Sequence, residues 1–352
     1  MGKPTIKILE RNIGEDYSPY IIAEMSANHN GDIKQALQLI NEAYSSGANA
    51  IKLQTYTADT ITIDSNQDEF KINEGLWKGN TLYNLYKKAE TPFEWHEELF
   101  EYANQLGITC FSTPFDETAV DLLENLNTPA YKISSFEIID IPLLRYVAAT
   151  KKPMIVSTGM ADKLEIQEAV DNIKEAGCSN LALLHCISNY PTPISQSNLR
   201  AITNLYNQFG LVVGLSDHTT GITTAITSIA LGASIIEKHF TLSRSNGSAD
   251  ADFSIDPFEL KELCCKAKDS WNALGLSEYD KKEIEKDSFK YRRSIYVVET
   301  IKAGDLLTKE NIKRIRPGFG LKPTLYESLL GRVAKIDIKA GTALRWEYIK
   351  DE

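Results

Sequence analysis

Between Tyr20 and Phe240 the sequence repeats one pattern: an apolar run of strand length, a polar turn, an amphipathic stretch of helical period, then the next apolar run. The runs are Tyr20–Ala23, Ala50–Gln54, Ile108–Ser112, Ala130–Ile133, Met154–Ser157, Leu181–His185, Leu211–Leu215 and Ser234–Glu237. Parallel strands need crossover connections, usually helical, so this alternation predicts βα units on a parallel sheet. Eight units suit a closed barrel better than an open doubly wound sheet, whose Gly-x-Gly-x-x-Gly turn does not follow the first run. The expected fold class is therefore α/β, a (β/α)8 TIM barrel.

The intervening segments agree. Asp32–Ser46 and Lys163–Ala176 read as helices, each ended by a glycine that accepts a left-handed conformation, Gly47 and Gly177. The connection Asp64–Thr91 is longer than a usual loop, and long loops at this end of a barrel tend to cover substrates. After Asp256-Pro257 a last long helix runs to about Leu274, which predicts a barrel domain over 1–276. The charged stretch that follows reads as a linker, 277–291, and 292–352 as a compact β-rich domain. That tail carries a near-repeat: Ile301-Lys302-Ala303-Gly304-Asp305 with Leu306 to Ile312, then Ile338-Lys339-Ala340-Gly341-Thr342 with Ala343 to Ile349.

Charge and cysteine usage narrow the function classes. A net charge of −10 argues against general binding to nucleic acid or anionic membranes, which rests on basic surfaces. No stretch approaches the ~20 apolar residues of a membrane span, and the N-terminus has no apolar segment behind a basic start. Cys110, Cys178, Cys186, Cys264 and Cys265 are odd in number and lack a C-x-x-C pair, so they read as small buried apolar residues in a reducing compartment. The expected location is the cytoplasm.

Buried barrel strands should stay apolar until they emerge at the C-terminal face, where active sites of this fold are built. The polar residues obey this rule. Glu24 ends the first run, with Asn28-His29-Asn30-Gly31 behind it. Lys52 and Gln54 interrupt the second run and Lys132 the fourth; a lysine in a buried strand is costly unless it meets an anion. Hydroxyls follow the other strands: Ser112 and Thr113, Ser134 and Ser135, Ser157 and Thr158, Ser188, and Ser216. Together they predict a cradle for phosphate and carboxylate groups. His218 and His239 hold corresponding positions on neighbouring strands, which suits a divalent cation with open coordination sites, with Asp217 and Glu237 placed to orient the imidazoles. His185 reads as a core histidine, His29 as a loop or rim residue, and His96 as surface or packing.

In this order the motifs resemble the sialic acid synthase family: Ala23-Glu24, Asn28 to Gly31, Lys52-Leu53-Gln54, Ser112-Thr113-Pro114, Tyr131-Lys132-Ile133, Ser157 to Met160, His185-Cys186 with Tyr190-Pro191, Gly214 to His218, and Glu237 to Phe240. Arg316-Pro317-Gly318 extends the likeness into the tail, which resembles that family's antifreeze-like (SAF, β-clip) domain. Gly75 to Gly79, Thr81 to Tyr86, Thr91 to Trp95 and Asp250 to Ser254 resemble the pseudaminic acid branch rather than the N-acetylneuraminate branch. Ser188 departs from the asparagine usual at its position in the latter.

The resemblance implies condensation of phosphoenolpyruvate with an amino sugar. It implies that Lys52, Thr113, Lys132, Ser135, Ser157, Ser188, Tyr190 and Ser216 bind phosphoenolpyruvate, and that His218 and His239 hold Mn²⁺ or Mg²⁺. Gln54 and Asp250 would contact the sugar, and Arg316 would reach it from the partner subunit of a domain-swapped homodimer. Glu24 or Glu237 would activate water. Three rival readings stay open. The sugar could be N-acetylmannosamine or the precursor of legionaminic acid, giving N-acetylneuraminate or legionaminate. Lys132 could form the Schiff base of an aldolase, or the scaffold could bind sugar or phosphate without turnover.

Overall fold

The computed structural model describes residues 2–275 and 279–351, and the chain divides into two compact units, Met1–Gly275 and the remainder. In the first unit a short antiparallel hairpin, β1 (Ile6–Ile8) and β2 (Arg11–Ile13), precedes a closed parallel barrel. The barrel strands are β3 (Tyr20–Glu24), β4 (Ala50–Thr55), β5 (Thr109–Pro114), β6 (Tyr131–Ile133), β7 (Met154–Ser157), β8 (Leu181–Cys186), β9 (Val212–Asp217) and β10 (Ile235–His239), with β10 pairing β3 to close the ring. Each expected run lies within a residue or two of an observed strand. The hairpin was not anticipated.

Strand periodicity explains the interior. Side chains alternate between faces, so one set points into the barrel and the other onto the helices. Inside, the lower layers are apolar: Tyr20 and Ile22, Ala50, Phe111, Ala130, Ile155, Ala182 and Leu184, Val212 and Ile235 form one core together with Ile6, Ile8 and Ile13 of the hairpin. The hairpin thus supplies the barrel floor. Gly214 stands in this layer because a Cβ there would meet Leu184 Cδ2 at 2.7 Å and crowd the Ile235 carbonyl. A larger core lies outside the strands, where Ile21, Ala23, Ile51, Leu53, Leu183 and Ile236 pack on the helices. At roughly 25 cal/mol per Å² of buried apolar area, these two shells dominate the fold's stability.

The helices start where the sequence supplies caps. Asp32 accepts from Lys34 N at the head of Ile33–Ser45, and Asp162 with Glu165 forms a capping box for Lys163–Glu175. Asp256 and Glu259 do the same for the long helix Pro257–Leu274, which has Pro257 in its first turn. Within Asp64–Thr91 lies a helix, Leu82–Ala89.

The second unit pairs β11 (Ser294–Val297) with β12 (Ile312–Ile315) in antiparallel fashion. The copies of the near-repeat lie against each other: Ile301 N donates to Ile338 O at 2.9 Å and Ile338 N to Ile301 O at 2.8 Å. Their equivalent residues Ile301 and Ile338, Leu307 and Leu344, Ile312 and Ile349 all enter one small core. The start of the segment read as a linker lies outside the described residues, and Glu283–Tyr291 winds into 3-10 turns.

Candidate active site

Above the apolar layers, the inward columns turn polar at the C-terminal ends of the strands. Tyr20 and Ile22 lead to Glu24, Ala50 to Lys52 and Gln54, Phe111 to Thr113, Ala130 to Lys132 and Ser134, Ile155 to Ser157, Val212 and Gly214 to Ser216, and Ile235 to Glu237 and His239. These side chains line a cavity of about 490 Å³. Of the residues expected to bind phosphoenolpyruvate, Lys52, Thr113, Lys132, Ser135, Ser157, Tyr190 and Ser216 line it, as do Gln54 and Asp250. Ser188 is not among the lining side chains. It stands with Ser135 against Gly159, where a Cβ would collide with both hydroxyls, and Gly159 N donates to Ser135 Oγ at 3.1 Å. Arg316 belongs to the second unit, exposed in the loop after β12.

Two buried lysines face two buried carboxylates. Lys52 Nζ lies 2.5 Å from Glu24 Oε2 and donates to Thr113 Oγ1 at 2.9 Å. Lys132 Nζ lies 3.4 Å from Glu237 Oε1, which also accepts from Ser216 Oγ at 3.2 Å. Gln54 donates to the other Glu24 oxygen at 3.2 Å. Burial pushes Glu24 above the usual carboxylate range, against the pull of Lys52. Glu237 is buried too, but the ammonium groups of Lys132 and Lys52 outweigh its desolvation and hold it below that range. Burial lowers Lys132 despite Glu237. The network is incomplete, since Glu237 Oε2, Ser157 Oγ and His239 Nδ1 are buried without a hydrogen bond.

The two imidazoles are neighbours, with centroids 5.4 Å apart. His218 Nδ1 sits 2.9 Å from the Ile187 carbonyl, which can only accept, so that nitrogen carries a proton and Nε2 is the atom that can donate a lone pair when the ring is neutral. His239 Nδ1 is 3.5 Å from Asp250 Oδ2. Tyr190 packs its ring 4.3 Å from that of His218, and Phe253 lies 4.8 Å from His239. Among the described residues, no group of three or more His, Cys, Asp or Glu side chains forms a ready-made cation cage.

Asp217 corrects an expectation. It points outward and does not orient the imidazoles: its carboxylate pairs with Lys238 at 3.0 Å and accepts from Thr219 N and Thr224 Oγ1. Lys238 also donates to the Thr219 carbonyl at 2.6 Å. His185 is a core histidine bonded to the Ser197 carbonyl. His96 is a packing residue on the outer face of β4, bonded to Thr55 and the Pro92 carbonyl. His29 lies in the short turn Ser26–His29 after β3, in keeping with a loop residue, but it is fully buried, bonded to Thr91 and edge-on to Trp95. Cys110, Cys178 and Cys186 are buried as expected, Cys264 partly so, while Cys265 is exposed.

Cys186, Tyr56, Trp77 and Glu137 also line the cavity, none of them expected as a site residue. Counting by twos from Leu184 would have turned Cys186 inward. Glu137 is raised by burial, with a bond from Ser134 opposing the shift. Trp77, from the long insertion, donates its indole N–H to the Ala249 carbonyl at 3.0 Å, next to Asp250.

Fold and site together define a (β/α)8-barrel enzyme with a cationic cradle beside an imidazole pair. Residues 39–279 match the NeuB family and 292–350 the SAF domain, and the chain belongs to the NeuB family. It is 43% identical over 334 residues to the pseudaminic acid synthase of Campylobacter jejuni, covering 95% of this chain and 97% of that protein. The pseudaminic acid synthase of Helicobacter pylori is 44% identical, with 94% and 98% covered. The N,N'-diacetyllegionaminic acid synthase of Legionella pneumophila is 38% identical, with 96% of each covered. The crystal structure of an N-acetylneuraminic acid synthetase from Leptospira borgpetersenii superposes with a TM-score of 0.74 at 32% identity, covering 82% of this chain and 96% of that one.

Proposed function

We infer that this chain is a pseudaminic acid synthase. It condenses phosphoenolpyruvate with 2,4-diacetamido-2,4,6-trideoxy-altropyranose and water, giving pseudaminic acid and phosphate. The observation that carries the reading is the pairing of two buried, incompletely satisfied lysine–carboxylate contacts with adjacent imidazoles, in a chain this close to two pseudaminic acid synthases.

Lys52 and Lys132 bind the phosphate and carboxylate of phosphoenolpyruvate, and the hydroxyls of Thr113, Ser135, Ser157 and Ser216 complete the cradle. Ser188 and Tyr190 border it. Fixing C3 against the sugar's aldehyde carbon converts a bimolecular encounter into a positioned one. Gln54 and Asp250 orient the open-chain sugar. Carbon–carbon bond formation leaves an oxocarbenium at C2. Water adds there, one of the two carboxylates, Glu24 or Glu237, takes its proton, and phosphate departs with C–O cleavage.

The donor set fits Mn²⁺ or Mg²⁺. His218 offers Nε2, His239 Nδ1 lacks a hydrogen bond, and two imidazoles leave coordination positions open. A cation held by His218 and His239 would polarise the aldehyde. The same reading makes the protein a cytoplasmic homodimer in which Arg316 of one subunit reaches the sugar in the other.

Phosphate release in the presence of Mn²⁺ tests the function, comparing the diacetamido-trideoxy sugar with N-acetylmannosamine and adding EDTA controls. Release with the first sugar alone, abolished by EDTA, is the expected result. Release with N-acetylmannosamine alone would overturn the sugar assignment. Release with neither would favour a binding protein, and borohydride trapping at Lys132 an aldolase.

A further inference from the structure

We propose that the helix Leu82–Ala89 is the specificity wall of this site, reading the methyl-bearing C6 end of the sugar and discriminating against a hydroxyl there. The inference rests on the substrate reading above and adds the residues that select it. Leu82, Leu85, Tyr86 and Ala89 follow the i, i+3, i+4, i+7 spacing of an apolar helical stripe, which ordinarily packs into a core. Here none of the helix residues is buried, and all four line the catalytic cavity. Asn84, Lys87 and Lys88 are exposed on the other side.

The wall is held in place from below. Tyr56 stacks edge-on against Tyr86 at 6.0 Å and against Phe115 at 5.1 Å. Glu90, just past the helix, accepts from Ala58 N at 2.9 Å, and Tyr83 donates to Asp59 at 3.2 Å. The cavity therefore has two unlike walls: strand ends bearing ammonium, carboxylate and imidazole groups, and a helix presenting Leu82, Leu85, Ala89 and the ring of Tyr86, whose phenol is its one polar group. A substrate bridging them must be polar at the reacting end and apolar at the other. A hydroxyl turned to Leu82, Leu85 or Ala89 would lose water and gain no partner from them, whereas a methyl gains from burial.

An apolar pocket rejects an added hydroxyl only modestly, so the expected preference of the wild type for the 6-deoxy sugar over its 6-hydroxy analogue is about 10- to 100-fold in kcat/KM. Leu85→Gln and Leu82→Asn each offer the hydroxyl a partner and should narrow that preference to about threefold or less, with the KM for phosphoenolpyruvate moving less than about twofold. Asn84→Ala, on the exposed side, should leave the preference unchanged. A wild type indifferent to the 6-hydroxyl, or a preference that survives in both folded Leu variants, overturns the wall. Absence of turnover with either sugar in the wild type instead sinks the substrate reading itself, and the wall's assignment to this sugar with it.

Discussion

The two faces of the barrel wall carry the same kinds of side chain in opposite states. On the outer face, Lys238 is fully buried and pairs closely with Asp217 and the Thr219 carbonyl, and both ring nitrogens of His96 are bonded, to Thr55 and Pro92. On the inner face, Lys132 donates to the Ile133 carbonyl at 3.2 Å and approaches Glu237 only at 3.4 Å, and Glu237 Oε2 and His239 Nδ1 lack hydrogen bonds. A buried charge costs several kcal/mol unless compensated, so a saturated pair is part of the scaffold and an unsaturated one awaits a ligand. The difference lies in how completely each group is partnered; the depth of burial is the same.

The sharpest way to break this comparison is Lys238→Met. It leaves Asp217 buried without its cation, and unfolding in urea should show a loss of about 3–5 kcal/mol. A loss below about 1 kcal/mol would mean that the outer pair is not a structural clamp. Lys132→Met should behave inversely. Its stability cost should be smaller than that of Lys238→Met, while kcat/KM for phosphoenolpyruvate falls about 10²- to 10³-fold. Equal stability losses in the two variants would erase the distinction drawn between the faces.

A further expected effect concerns acid. Burial holds His96 and His29 down at about 4, well below the ordinary value of 6.5. The unfolded chain therefore takes up these protons first, so the stabilisation is complete above pH 6.5 and lost as pH falls toward 4. Each imidazole accounts for about 3 kcal/mol over that window. His96→Asn should make the acid limb of a stability–pH curve shallower, leaving the part due to His29 and to His185 and His239, which burial also lowers.

The barrel was legible because eight apolar runs and capped helices agree at every level from propensity to topology. The polar strand ends were legible for the same reason: Lys52 and Lys132 break runs that are otherwise apolar. What failed was side. Asp217 adjoins His218 and was grouped with it, but neighbouring residues on a strand face opposite ways, and that alternation sends Asp217 and Lys238 to the helices together. The β1–β2 hairpin escaped notice because its three-residue strands, broken at Leu9 with φ 51°, carry too little pattern to count. The stripe of Leu82, Leu85, Tyr86 and Ala89 is visible in the sequence, yet spacing alone does not say whether such a face meets a core or a cavity.

The near-repeat of the second unit has its own consequence. The two copies exchange backbone bonds at Ile301 and Ile338, and equivalent residues of both complete a single core. Neither half completes that core on its own, although β11 and β12 pair within the first. Cutting the chain between the copies would forfeit both, and ordering one copy necessarily recruits the other across the intervening loop. This small unit is therefore a two-part lock, present whole or absent whole.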